Sequence, residues 1–194
     1  MAALTSPPLA SPARKQFTRS DVERMERAGV FPDDRLELID GDLFDKMGQN
    51  PPHAFVLQEL SAILCEIFGF RFLRIQLPLE VSPNDQSQNR PEPDIAVVRN
   101  PPHVYKTKHP QGESAVLVVE IADASVNQDL SVKRRLYARA SVLRYWVVDV
   151  ARRVLIVHEL PAADDYASVQ TFGENDAVPV PASNAQFTLS SILP

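Results

Sequence analysis

The spacing of apolar residues predicts three helices. Across "HAFVLQELSAILCEIFGF" (53–70), apolar side chains recur every three or four residues, the period of an amphipathic helix that packs on a sheet. A second helix is predicted over 126–141, "VNQDLSVKRRLYARAS", and a shorter one within 17–29. For the short helix, Thr18 or Ser20 is a candidate N-cap, Ser20 and Glu23 have the spacing of a capping box, and Gly29 is a stop signal.

Other segments have the pattern of β-strands. Asp40-Gly41 separates two alternating segments, which predicts a two-residue hairpin. Further strands are predicted at 72–82, 94–99, 115–120, 142–150 and 153–160, with one or two edge strands in the remainder. This order of helices and strands indicates the α/β class, with a mixed β-sheet flanked by helices. Residues 1–16 lack periodicity and are predicted to be a disordered tail, and 17–194 to be a single domain.

Length, composition and charge limit the classes of protein to which this chain can belong. A length of 194 residues with 44% hydrophobic residues suits one domain, and no apolar stretch is long enough to span a bilayer. We therefore expect no membrane association and a cytoplasmic location. The formal charge of −5 gives no general attraction to nucleic acid, although 99–109 and 133–139 are basic strips that could contact phosphates. The four histidines have no metal-ligand spacing, so a zinc site is not expected.

The segment "SAVLVVEIADAS" (114–125) carries a carboxylate, Glu120, directly after a run of buried-strand residues. Burying an unpaired carboxylate is costly, so Glu120 needs a cation or several donors. Asp94 begins another predicted strand, and two carboxylates at adjacent strand ends would be stabilised by a divalent cation. The pattern leaves a second interpretation open, in which Glu120 caps a loop or pairs with an arginine such as Arg134.

The order of these motifs resembles the PD-(D/E)XK nuclease superfamily, and within it the Uma2 branch of restriction endonucleases. The matching pieces are "LELIDGDL", "PPH", "EPDIAVV", "LVVEIADAS", "DLSVKRRLYARASVLRYWVVD" and "RVLIVHEL". One departure is Ala122, which stands where the superfamily places a lysine. The resemblance implies that this lysine comes from the following helix, where Lys133 shares one face with Asp129 and Tyr137.

The resemblance implies a restriction-endonuclease-like fold and cleavage of DNA. Asp94, Glu120 and the carbonyl of Ile121 would be oxygen ligands for Mg²⁺ or Mn²⁺. Lys133 would position water or neutralise charge on the phosphate, and Glu37 would be an additional acid at the site or an exposed hairpin carboxylate. Cutting both strands implies a homodimer, with edge strands near 143–160 as its expected surface. The alternative is a fold relative that no longer cuts and serves as a binding or assembly module.

Overall fold

The computed structural model describes residues 14–32, 36–46, 50–122 and 125–194. Most of the predicted disordered tail, residues 1–13, lies outside these ranges, as does the Asp123-Ala124 loop. None of the helices within the described ranges combines the length and hydropathy that crossing a bilayer requires.

The chain forms a mixed α/β fold, as the sequence predicts. Its helices are α1 (Arg19–Arg27), α2 (Pro51–Phe68), α3 (Val126–Gln128) and α4 (Arg134–Arg139), with a π-helical turn, Asp129–Lys133, joining the last two. Its strands are β1 (Leu36–Ile39), β2 (Asp42–Asp45), β3 (Leu73–Ile75), β4 (Ile95–Val98), β5 (Ala115–Ala122), β6 (Arg144–Asp149), β7 (Val154–Ala162), β8 (Asp165–Gly173), β9 (Ala177–Pro179) and β10 (Gln186–Thr188).

Six strands form the central sheet in the order β3-β4-β5-β6-β7-β8. Every neighbouring pair is antiparallel except β5 and β6, which run parallel and are therefore connected by the crossover α3, π-turn and α4. The pairs β1-β2 and β9-β10 form two small separate sheets. Asp40 and Gly41 both have positive φ, 51° and 81°, as the predicted tight hairpin between β1 and β2 requires.

The sheet has an apolar layer on each face. On one face, α2 buries Val56, Leu60 and Leu64 against side chains that include Val97 and Val119. On the other face, Leu136 and Tyr137 of α4 pack with a set that includes Val118, Ala122 and Tyr145. Because side chains alternate along a strand, Glu120 lies on the same face as Val118 and Ala122, the face that the crossover covers.

The N-termini of the two longer helices have local explanations. Asn50 caps α2 by accepting a hydrogen bond from the backbone N–H of His53 (3.0 Å), and prolines occupy the first helical positions, where no N–H is needed. In α1 the capping box uses Thr18 and Asp21 and not the predicted Ser20 and Glu23, because the helix begins one residue after Thr18.

Two expectations about the strands are wrong, and the structure refines one expectation about a helix. The predicted strand 72–82 is reduced to Leu73–Ile75, because Gln76 has a left-handed backbone (φ 50°) and Pro78 follows. The predicted helix 126–141 is confirmed as a continuous helical segment over 126–139, with a π-helical turn between α3 and α4. The expected edge strands near 143–160 are β6 and β7, which have a paired strand on each side; the outer strands of the sheet are β3 and β8.

Candidate active site

Lys133 is the centre of a buried ion cluster formed with three carboxylates. Its Nζ lies 2.8 Å from Glu37 Oε2, 3.1 Å from Glu120 Oε1 and 3.5 Å from Asp129 Oδ1. The four residues are at most 4% exposed. With all groups ionised, this cluster carries a net charge of −2, so its buried negative charge exceeds what Lys133 neutralises.

The four members of the cluster come from three separate segments of the chain. Glu37 lies on β1 and also accepts a hydrogen bond from the N–H of Glu92 (2.9 Å). Glu120 lies near the end of β5 and also accepts a hydrogen bond from the Tyr137 hydroxyl (2.9 Å). Asp129 and Lys133 occupy the π-helical turn, and the Ser125 hydroxyl donates to Asp129 Oδ2.

Asp94 lies beside Glu120 because of the pairing between β4 and β5. Ile95 is opposite Val119, and continuing this register by one residue places Asp94 opposite Glu120. Opposite residues carry their side chains on the same face of a sheet. The Ile121 N–H donates to Asp94 Oδ2 (2.8 Å), which fixes the Asp94 carboxylate against the end of β5.

An imidazole and an ammonium group approach Asp94 from outside the ion cluster. His53 Nε2 lies 3.4 Å and Lys46 Nζ 3.9 Å from Asp94 Oδ1, and the Gln76 side-chain amide contacts the same oxygen at 3.4 Å. Burial would raise the pKa of Asp94, but His53, Lys46 and the Ile121 N–H together lower it to about 2. Asp94 is therefore ionised at neutral pH.

Glu120 has a net pKa shift that is opposite in direction to that of Asp94. Loss of hydration raises its pKa to about 8, an effect that Lys133 offsets in part and that Asp94 and Asp129 reinforce. Burial alone would lower the pKa of Lys133, but the surrounding carboxylates of Glu120, Glu37 and Asp129 raise it well above its ordinary value. Lys133 thus remains a cation, whereas burial disfavours the charged form of Glu120.

The structure brings the predicted residues Glu37, Glu120 and Lys133 into direct contact, with Asp94 adjacent. Glu37 is buried, so it is not an exposed hairpin carboxylate. Arg134 does not pair with Glu120; its guanidinium instead contacts Asp165 at 2.9 Å. The backbone N–H of His53 donates to the α2 cap residue Asn50, and its ring also reaches Asp94.

Three further residues complete the site. Asp129 and Tyr137 share a helical face with Lys133, and that spacing of four residues is the signal that points to them. Lys46 has no such signal, because the contact with Asp94 joins residues 48 positions apart along the chain. Within the described residues, no three side chains of His, Cys, Asp or Glu lie close enough to hold a metal ion by themselves.

Comparisons with known proteins identify a matching family and a solved structure with a similar fold. A family described as "Uma2: Putative restriction endonuclease" matches residues 19–191. A solved structure described as "a putative nuclease belonging to DUF820" from Anabaena variabilis is 17% identical, with a TM-score of 0.59, over 81% of this chain and 88% of that chain. At this identity the structural match shows the fold. No functionally curated protein has significant similarity to the chain.

Proposed function

Because the chain belongs to the Uma2 family, we propose that it is a metal-dependent endonuclease that hydrolyses phosphodiester bonds of DNA. The family and the related fold support a nuclease. The proposal adds the metal, the DNA substrate and the roles of the individual residues. The observation that carries it is the convergence of Asp94 and Glu120 beside the Lys133 ammonium.

The residues at this site fit a divalent cation by their chemistry. Mg²⁺ and Mn²⁺ prefer oxygen ligands, and Mg²⁺ commonly uses one or two carboxylates and completes its coordination with water and substrate phosphate. Asp94, Glu120 and the carbonyl of Ile121 would be these ligands, so three side-chain ligands are not required. The excess of buried negative charge around Lys133 supports the same conclusion.

The chain's own residues have distinct tasks in this proposal. When bound, the metal would polarise the scissile phosphate and lower the pKa of a water molecule. Asp94 is held ionised by its neighbours and oriented by the Ile121 N–H. Lys133 offsets negative charge that develops on the phosphate, and Glu37 fixes the position of the Lys133 ammonium.

The contacts of Lys133 also support a second candidate function, in which the protein binds or assembles without cutting. Its ammonium is already within 3.5 Å of three carboxylates. A buried ion cluster of this kind can be a purely structural feature of the core. In that case Glu120 would have its cation from the protein itself, and no metal would bind.

Plasmid cleavage with matched variants separates the two candidates. We expect the parent protein to nick supercoiled DNA with Mg²⁺ or Mn²⁺ and to lose this activity in EDTA. Glu120→Gln and Asp94→Asn should abolish nicking, whereas Glu66→Gln, at an exposed position on α2, should retain it. Equal nicking by the parent and Glu120→Gln would mean that the activity belongs to a contaminant.

Metal binding has a readout that does not depend on cleavage. A cation that binds only the folded protein raises the thermal midpoint, and at 100 times its dissociation constant it contributes about 2.7 kcal/mol. Mg²⁺ should therefore stabilise the parent and Glu66→Gln but not Glu120→Gln. Stabilisation without nicking would indicate a metal-binding protein that does not cut. The absence of both stabilisation and nicking would favour the candidate in which the ion cluster is purely structural.

The homodimer remains part of the proposal, since cutting both strands of a duplex requires two copies of the site. Light scattering at micromolar concentration should give twice the monomer mass. A monomer at that concentration would contradict this part of the proposal.

A further inference from the structure

One edge of the sheet carries basic residues without acidic ones, in a chain whose net charge is −5. Two segments, 69–79 and 95–112, contain no Asp or Glu. They meet in the fold because β3 pairs with β4, and the second segment continues from β4 into the loop 99–112. We call the exposed and half-buried cations of these two segments the basic edge: Arg71, Arg74, Arg99, Lys106 and Lys108.

Arg74 connects the loop 99–112 to the edge strand β3 through side-chain contacts. Its Nη2 lies 3.1 Å from His109 Nδ1 and donates to the Pro78 carbonyl at 3.2 Å, and its guanidinium carbon lies 5.9 Å from the centre of the Tyr105 ring. These contacts place Lys106 and Lys108, which flank Thr107 between Tyr105 and His109, beside β3 on the protein surface.

Arg74, the member of the basic edge that lies on β3, has its side chain on the same face of the sheet as the carboxylates. Arg74 is opposite Ala96, and Ala96 is opposite Val118, so all three side chains lie on one face. Glu120 lies two residues after Val118 and shares this face. Directly after β3, Gln76 contacts Asp94 through both its backbone N–H and its side chain, so the end of this strand lies at the candidate site.

The other basic strip of the sequence is occupied by internal contacts. Lys133 is buried among carboxylates, Arg134 contacts Asp165, and Arg139 makes two hydrogen bonds to Asp85. By contrast, within the described part of the chain, Arg71, Arg99, Lys106 and Lys108 form no ion pair with an acid. Their charges are therefore available to an external anion.

We propose that the basic edge is the surface on which the DNA backbone is held as it enters the site. From Arg71 to Gln76 the chain covers roughly 15 Å, at about 3.3 Å per extended residue and less in the first turn. One DNA strand presents a phosphate every ~3.4 Å along the helix axis, so the edge matches about four phosphates. The inference rests on the proposed nuclease function and adds the location of the substrate.

The test measures binding to a fluorescent 20-base-pair duplex by anisotropy in EDTA, across a series of salt concentrations. The double variant Lys106→Gln/Lys108→Gln removes two phosphate contacts. We expect its affinity at 0.1 M salt to fall at least about tenfold and its salt slope to decrease by about 1.8, which is 0.9 per contact. The control Lys15→Gln/Arg27→Gln makes the same charge change at exposed positions near α1 and should bind like the parent.

Two results would overturn the proposal. One is an unchanged affinity and salt slope in Lys106→Gln/Lys108→Gln, including the case in which the parent does not bind the duplex. The other is an equal loss in the control, which would indicate a general effect of net charge. Because EDTA prevents metal-dependent cleavage, binding is measured independently of whether the carboxylates cut DNA, and failure of the nuclease proposal is seen separately in the nicking assay.

Discussion

Replacing Lys133 by Met tests whether the ion cluster depends on this single cation. Methionine is similar in length and apolar, so the change removes the charge with little change in packing volume. Glu37, Glu120 and Asp129 would then be buried without the ammonium that they share. Breaking a buried ion pair by removing one partner costs about 3–5 kcal/mol, and we expect a loss in this range at pH 7.5 without divalent cation.

Arg139→Met is the matched control on the same helix. It breaks a two-hydrogen-bond ion pair with Asp85, but the Arg139 side chain is 33% exposed and water can hydrate the remaining carboxylate. The expected loss is about 1 kcal/mol. Both losses are measured by urea unfolding, from the change in midpoint at constant slope.

The deficit of Lys133→Met, which is its loss in free energy of unfolding relative to the parent, should increase with pH. Burial raises the pKa of Glu120 to about 8 from an ordinary value near 4.5, and removing Lys133 strengthens that rise. A carboxyl group with a raised pKa in the folded state contributes its full stability below the unfolded pKa and loses it as the pH increases through the folded pKa. Below about pH 7 Glu120 is protonated in both folded proteins, so its share of the deficit should be small there and should grow as the pH increases past the parent's pKa of about 8. A loss below 1 kcal/mol at pH 7.5, or one equal to that of Arg139→Met, would refute this account of the cluster.

Two further predictions concern the parts of the fold that support the site. Gly112→Ala should destabilise the protein by about 1–3 kcal/mol in thermal melts, because the added methyl group would lie 2.4 Å from the Ala140 carbonyl oxygen. Gly29→Ala has open space around the added methyl group but a φ of 68°, and it should cost about 1–2 kcal/mol in the same melts. If Gly112→Ala leaves the stability unchanged, the close packing against Ala140 is contradicted. Burial lowers the pKa of His158 below its ordinary value near 6.5, so the unfolded chain binds the proton at a higher pH than the folded protein does. The free energy of unfolding should therefore fall as the pH drops below about 6.5. His158→Gln should show a shallower fall, and identical pH profiles would exclude His158 as the cause.

The elements that were predicted correctly have a strong local signal. Helix α2 follows from its apolar spacing, and the β1-β2 hairpin follows from Asp40-Gly41. The strand predicted at 72–82 was wrong because apolar alternation does not reveal the left-handed backbone at Gln76. The positions of β6 and β7 within the sheet were wrong because the order of strands depends on pairing between distant segments, which alternation within one strand does not encode.

The same distinction applies to the candidate site. Asp94 and Glu120 were indicated by carboxylates at strand ends, and Lys133 by a resemblance that a four-residue spacing supported. Asp129 appeared on that helical face, but the sequence did not indicate that it shares the ammonium with two other acids. Lys46 and His53 contact Asp94 from 48 and 41 positions away, and no local pattern in the sequence marks such contacts.

The parallel pairing of β5 and β6 also has a consequence for the order of folding. Lys133 lies on the crossover between these strands, so its ammonium reaches Glu120 only when the chain has left β5 and the crossover has returned over the sheet. A carboxylate buried before that return would be uncompensated. We therefore expect the end of β5 to stay hydrated in any early folding species, and its amide protons to become protected from exchange together with those of the crossover.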